Sequence, residues 1–253
     1  MSALRSERDG AVLRIALARP DRRNAFDAAL IDEVAAAFAD VGDARAVVLS
    51  GDGPSFSAGA DVEWMRSSVD LSYDENVADA LRLRAMLDAI DQCPAPVIAR
   101  VQGHALGGGC GLVACCDIVV AASDAVFAFS EVKLGIVPAV ISPFALAKIG
   151  TGAARRFFVT GERFTAEVAL RIGLVHEVTD DLDAAVERIA AELLSAGPEA
   201  TRAAKELARG PLSAEETAKR IAAHRTSAEG QEGLRAFLEK REPRYQVPPV
   251  PGT

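Results

Sequence analysis

Residues 103–117 read GHALGGGCGLVACCD, with five glycines and three cysteines in one short stretch. Glycine loses more backbone freedom on folding than any other residue, so such a run marks a place where backbone comes close to something. A phosphate loop needs G-x-x-x-x-G-K-[ST], and no Lys, Ser or Thr follows these glycines. A dinucleotide-binding turn needs G-x-G-x-x-G, and Gly107, Gly109 and Gly111 alternate without giving that register. Two uses remain. One is tight packing that merely requires small residues; the other is a bare backbone N–H at a helix start, aimed at a developing negative charge.

The flanking sequence sets this run in an α/β frame. GAVLRIALARP (10–20) alternates until Pro20 and reads as a strand, while FDAALIDEVAAAFADV (26–41) spaces Leu30, Ile31, Val34 and Phe38 as one face of a helix. ARAVVLSG (44–51) is a short apolar strand, and YDENVADALRLRAMLDAIDQC (73–93) is a charged helix ended by Pro94 and Pro96. VIARVQG (97–103) is a strand leading into the glycine run, which opens a helix. DIVVAAS (117–123) and the short AVFAFS follow. Buried strands alternating with helices predict a parallel sheet. Beyond about residue 152 helical segments dominate, the last spanning 213–241, and Gly197-Pro198 marks the best linker. The expected organisation is a core over 1–196 and a C-terminal helical region over 197–253. A second small-residue turn, FSAGAD (56–61), directly follows a strand. Two such turns on neighbouring strand ends can offer one N–H each to the same oxygen, as a thioester or ester carbonyl turning into an enolate requires.

Composition narrows the partners. The 253 residues are 50% hydrophobic and carry a net charge of −8, with a pI near 5.0. This argues against nucleic acid, whose phosphates need concentrated Lys and Arg. The charged start MSALRSERDG and the short apolar stretch after it fit neither a secretion signal nor a membrane span, so a cytoplasmic protein without membrane association is expected. Cys93, Cys110, Cys115 and Cys116 form no C-x-x-C pair and no zinc spacing, and read as buried reduced thiols.

RPDRRNAF (19–26), FSAGADVEWM (56–65), VQGHALGGGCGLVACCDIVVAA (101–122) and FSEVKLGIVPA (129–139) resemble, in order and across nearly the whole chain, the crotonase or enoyl-CoA hydratase/isomerase superfamily. The resemblance implies a crotonase-like spiral of ββα repeats with a C-terminal helical trimerisation region, assembled as a homotrimer or homohexamer. It implies acyl-CoA thioester substrates and no metal or redox cofactor. It places the oxyanion hole at the backbone N–H groups of Ala60 and Gly108. Contacts to the coenzyme A portion fall to Arg23 and Ala25, and to Ser57, Ala58, Asp61 and Val62. Phe237 and Lys240, in the charged helix end AFLEKREPRY (236–245), become candidates to reach the coenzyme A of a neighbouring subunit.

Hydratases of this family use two glutamates, one activating water and one delivering a proton to the α-carbon. The second maps onto Glu131, and the first maps onto Gly111. Glycine neither takes nor gives a proton, which leaves three readings: a hydratase that holds its water otherwise, an isomerase that shuttles one proton, or an inactive acyl-CoA-binding paralogue. SEVKLGIVPAVISPFALAKIG (130–150) and ARRFFVTGERFTAEVALRIGLV (154–175) are similar to bacterial methylglutaconyl-CoA hydratases, which also carry Gly at this position. That similarity implies a branched acidic substrate whose own carboxylate helps to order the water. PAVISPF (138–144), beginning at Pro138, is expected to line the acyl pocket, with Trp64 and Met65 as covering side chains. His104 reads as a supporting or packing residue rather than a base.

Overall fold

The computed structural model describes residues 3–247. Its larger sheet begins with an antiparallel hairpin, β1 (Leu4–Asp9) and β2 (Val12–Leu17). It continues in parallel through β3 (Ala46–Gly51), β4 (Val97–Val101), β6 (Ile118–Ala122) and β9 (Glu177–Thr179), in the order β1-β2-β3-β4-β6-β9. A smaller sheet pairs β5 (His104–Leu106) in parallel with β7 (Val126–Ala128), and β7 in antiparallel fashion with β8 (Phe164–Thr165).

The period of two along the buried strands sorts side chains between two helical layers. Val47, Leu49, Val97, Ala99, Val101, Val119 and Ala121 join the main core. That core is covered by α1 (Ala28–Ala39), α3 (Tyr73–Asp91), α4 (Gly108–Cys115) and α5 (Ser142–Thr160), with the short α2 (Val62–Ser68) and α6 (Ala166–Arg171) at its edges. Ala46, Val48, Ile98 and Val120 point the other way, against Leu182, Ala185, Val186 and Ala190 of α7 (Leu182–Ser195). The last helices are α8 (Pro198–Leu207), α9 (Ala214–Thr226) and α10 (Ala228–Glu239). Lys205 of α8, its side chain 7% exposed, ties this region to the sheet through an ion pair with Asp117 at 2.7 Å.

Local chemistry explains the helix starts. Asp27 caps α1 by accepting from the Leu30 N–H at 3.0 Å, and Ser72 with Glu75 forms a capping box on α3. The single helix expected over 213–241 is two. Ser227 takes an extended conformation between α9 and α10, and its hydroxyl caps the second by accepting from the Gly230 N–H at 3.0 Å. The exposed, charge-rich β1 gives no hydrophobic pattern and was not expected as a strand; neither were the very short β5, β8 and β9. Among the described residues no helix is long and apolar enough to cross a membrane. The four cysteines are buried and unpaired, and burial pushes the Cys116 thiol up to about 12.

Candidate active site

The loops leaving the carboxyl ends of β3 and β4 converge, as ligand-bearing loops do in parallel sheets. One carries Ala60 just before α2, and the other carries Gly108 at the first position of α4. They meet closely: a side-chain carbon on Gly59 would stand 2.5 Å from the Leu106 carbonyl oxygen and 3.2 Å from the Gly108 nitrogen. Neither the Ala60 nor the Gly108 backbone N–H has a hydrogen-bond partner among the described residues, and both residues line one cavity of about 240 Å³. Gly108 cannot carry a side chain, because a β-carbon there would collide with Cζ of the buried Phe26 ring. Close packing and a bare N–H are thus both true of the glycine run. The same glycine that lets α4 settle on Phe26 leaves its N–H open to the cavity.

Glu131 faces this pair. It opens a short 3-10 turn over Glu131–Leu134 and lines the cavity. Its Oε2 is buried without a hydrogen-bond partner. Burial pushes the carboxyl above the usual glutamate range, against a smaller downward pull from its own backbone N–H. A carboxyl kept partly desolvated beside two unpaired N–H donors is equipped to move a proton next to a developing oxyanion.

The remaining lining is mostly apolar. Pro138, Ala139, Val140 and Ile141 form one wall, as expected of PAVISPF, and Trp64 and Met65 also line the cavity. The surprise is on α3, where Asn76, Asp79, Ala80 and Leu83 present one helical face. Asp79 is half-buried and has no ion pair or hydrogen bond among the described residues, and no Lys or Arg lines the cavity. An isolated Asp in a charged helix carries no sequence signal, so only its place on the i, i+4 stripe with Leu83 could have found it.

The expected coenzyme A contacts separate into two groups. Arg23 and Val62 are exposed, and Arg23 sits in the left-handed region with φ of 51°. Ala25 is buried. Ala58 donates its N–H to the Arg23 carbonyl at 2.9 Å, joining the two loops. Ser57 and Asp61 are spent on the scaffold. The Ser57 hydroxyl donates to the Asn24 carbonyl at 2.9 Å and accepts from the Gly59 N–H at 3.1 Å, while its backbone pairs with His104 and Leu106. Asp61 caps α2 by accepting from the Glu63 N–H at 2.8 Å and pairs with Arg22 at 3.0 Å and Arg19 at 3.3 Å. Burial alone would raise its pKa, but the Arg22 and Glu63 bonds and the nearby arginines hold it below the usual range. Phe237 and Lys240, at the exposed end of α10, do not line the cavity of their own chain. His104 lies outside it too, with Nδ1 at 3.3 Å from the Ser55 hydroxyl.

Asn24 organises these loops and was passed over in the sequence. Fully buried, it accepts from the Arg19 N–H at 2.9 Å and donates to the carbonyls of Asp52 and Ser55, both at 2.8 Å. It also holds φ of 53°, which Asn tolerates better than most residues. Asn24→Ala is expected to lower unfolding free energy by about 2–4 kcal/mol, the cost of stranding buried partners. Urea unfolding measures this, and a loss under about 0.5 kcal/mol would remove Asn24 from the account.

The sequence profile of the enoyl-CoA hydratase/isomerase family matches residues 7–248. The chain is 35% identical to a putative enoyl-CoA hydratase of Thermus thermophilus, over 93% of this chain and 98% of that one. It is also 35% identical to the crotonyl-CoA hydratase of Syntrophomonas wolfei, over 90% and 91%. The crystal structure of an enoyl-CoA hydratase from Shewanella pealeana superposes with a TM-score of 0.91 at 41% identity, covering 96% of each chain. With its fold, its paired N–H donors and its carboxylate in place, the chain belongs to the enoyl-CoA hydratase/isomerase family.

Proposed function

We propose that the protein hydrates α,β-unsaturated acyl-CoA thioesters. The observation that carries this reading is the half-buried Glu131, whose Oε2 is buried and unpaired, in the cavity that the free Ala60 and Gly108 N–H groups also line. The thioester oxygen accepts from the two N–H groups. Water oxygen bonds to the β-carbon, the double-bond electrons pass through the α-carbon to the thioester oxygen, and the negative charge gathers there. Glu131 gives a proton to the α-carbon and recovers one from the water. Atoms and charge then balance, and the carboxyl ends as it began.

A branched acidic substrate such as 3-methylglutaconyl-CoA would bring a carboxylate into a cavity lined by Asp79 and by no cationic side chain. At 4 Å and an effective dielectric near 20, like charges repel by about 4 kcal/mol. The acyl group we propose is therefore neutral. Initial rates on crotonyl-CoA and 3-methylglutaconyl-CoA, followed as loss of the enoyl-thioester absorbance, test this. We expect kcat/KM to favour crotonyl-CoA by at least about tenfold, a modest share of that repulsion. Preference for the acidic thioester would overturn the assignment. Asp79→Asn is expected to narrow the gap.

One observation favours isomerisation as a second reading: position 111 offers no carboxylate, and a single carboxyl suffices to move one proton between the α- and γ-carbons. Appearance of enoyl absorbance from a 3-enoyl-CoA, without hydration of the 2-enoyl product, would select it. In either reading the exposed Phe237 and Leu238 of α10 are covered by further copies in a trimer or hexamer. A clean monomer in sedimentation at micromolar concentration would contradict that assembly.

A further inference from the structure

One wall of the cavity carries Ile141, where the start of α5 faces α4. Ile141, just ahead of α5, is 2% exposed, lines the cavity, and is fixed by its carbonyl accepting from the Ala145 N–H at 3.1 Å. Across from it lies Gly111, buried within α4. A β-carbon on Gly111 would stand 2.5 Å from Ile141 Cγ2, 3.1 Å from Ile141 Cβ and 3.7 Å from Leu87 Cδ2. Rotating the side chain removes Cγ2 but leaves Ile141 Cβ in tight contact, so its backbone must also give by a few tenths of an ångström, and β-branching leaves it few rotamers. Leu87 is fully buried and closes the other side. A single volume has two claimants, and Ile141 holds it.

We propose that Ile141 is the specificity-determining residue of this site. By filling the volume that any side chain at 111 would need, it closes this wall of the cavity against a second carboxylate and against longer acyl chains. The proposal rests on the acyl-CoA reading above and adds what decides the length of the acyl group and the count of carboxylates. Gly111 is then not a lost catalytic residue that a single substitution restores. A glutamate there needs Ile141 cut back first.

The test uses the intact protein with Ile141→Ala, Ile141→Val, Gly111→Ala and the Gly111→Ala/Ile141→Ala pair. Calorimetry with butanoyl-CoA and octanoyl-CoA reads acyl-length preference without any turnover, so its result stands apart from whether the wild type hydrates anything. Ile141→Ala should shift the octanoyl-to-butanoyl affinity ratio by about tenfold toward octanoyl, roughly what two newly buried methylenes supply, and Ile141→Val by less. Gly111→Ala alone should lower the thermal midpoint by about 3–10 °C, as overpacking a core does. In the Ile141→Ala background the same change should cost far less. Gly111→Glu should then raise crotonyl-CoA hydration in the Ile141→Ala background and not in the wild type. An unchanged affinity ratio in both Ile141 variants, or midpoint losses that simply add, would overturn the proposal. So would a well-folded Gly111→Glu single variant that hydrates faster than wild type.

Discussion

Glu131→Gln is expected to lower crotonyl-CoA turnover by about 10²–10⁴-fold while leaving affinity for a saturated acyl-CoA within about twofold of wild type. Gln keeps the shape of the side chain and cannot exchange a proton. The same variant reports on the carboxyl's environment. Because burial raises the folded-state pKa of Glu131, the unfolded chain loses this proton first as pH rises, and wild-type stability falls across the interval between the two pKa values. The Gln variant has no such loss. Its thermal midpoint relative to wild type should therefore climb from pH 4 toward neutrality and level off above the folded-state pKa. The hydration rate of wild type, which needs the protonated form to reach the α-carbon, should fall on the alkaline side of that same pKa. Retention of more than about a tenth of wild-type turnover would leave Glu131 contributing under about 1.4 kcal/mol and end its assignment.

Gly108→Ala is expected to cost about 10²–10³-fold in kcat, or roughly 3–4 kcal/mol of transition-state stabilisation. The added methyl meets the buried Phe26 ring at Cζ, so ring and first turn of α4 must part, which carries the Gly108 N–H off target. Relief should come from the other side of the contact. Gly108→Ala with Phe26→Leu should recover part of the lost kcat, because the smaller side chain returns space beneath the helix. Steady-state kinetics at saturating crotonyl-CoA distinguish this from a binding defect. A loss confined to KM would mean that the N–H holds the substrate and its transition state equally well.

The parts of this architecture that follow from hydrophobic period were legible in the sequence. Leu30, Ile31, Val34 and Phe38 on α1 are all buried as their spacing required. The apolar runs over 44–51 and 97–103 do form the buried strands β3 and β4. Elements that depend on pairing rather than pattern were not legible. The strand β1 is nearly all exposed and exists because it pairs with β2, and β8 has only two residues. The same division runs through the site. Glycines and Glu131 announced themselves through spacing and resemblance. The service of Ser57 and Asp61 to the scaffold, the loop-joining bonds of Asn24 and the steric claim of Ile141 on the space at 111 all arise between segments distant in sequence. Residue type at one position does not encode them.

In the proposed reaction Glu131 hands a proton to the α-carbon of an acyl thioester whose oxygen is held by Ala60 and Gly108. Turnover of crotonyl-CoA in D₂O tests it most directly, with the product examined by mass spectrometry and NMR. The expected product is 3-hydroxybutanoyl-CoA carrying one deuterium at the α-carbon in a single stereochemical sense, with no such product from Glu131→Gln. Stereorandom labelling by the wild type, or undiminished labelling by the Gln variant, would contradict it.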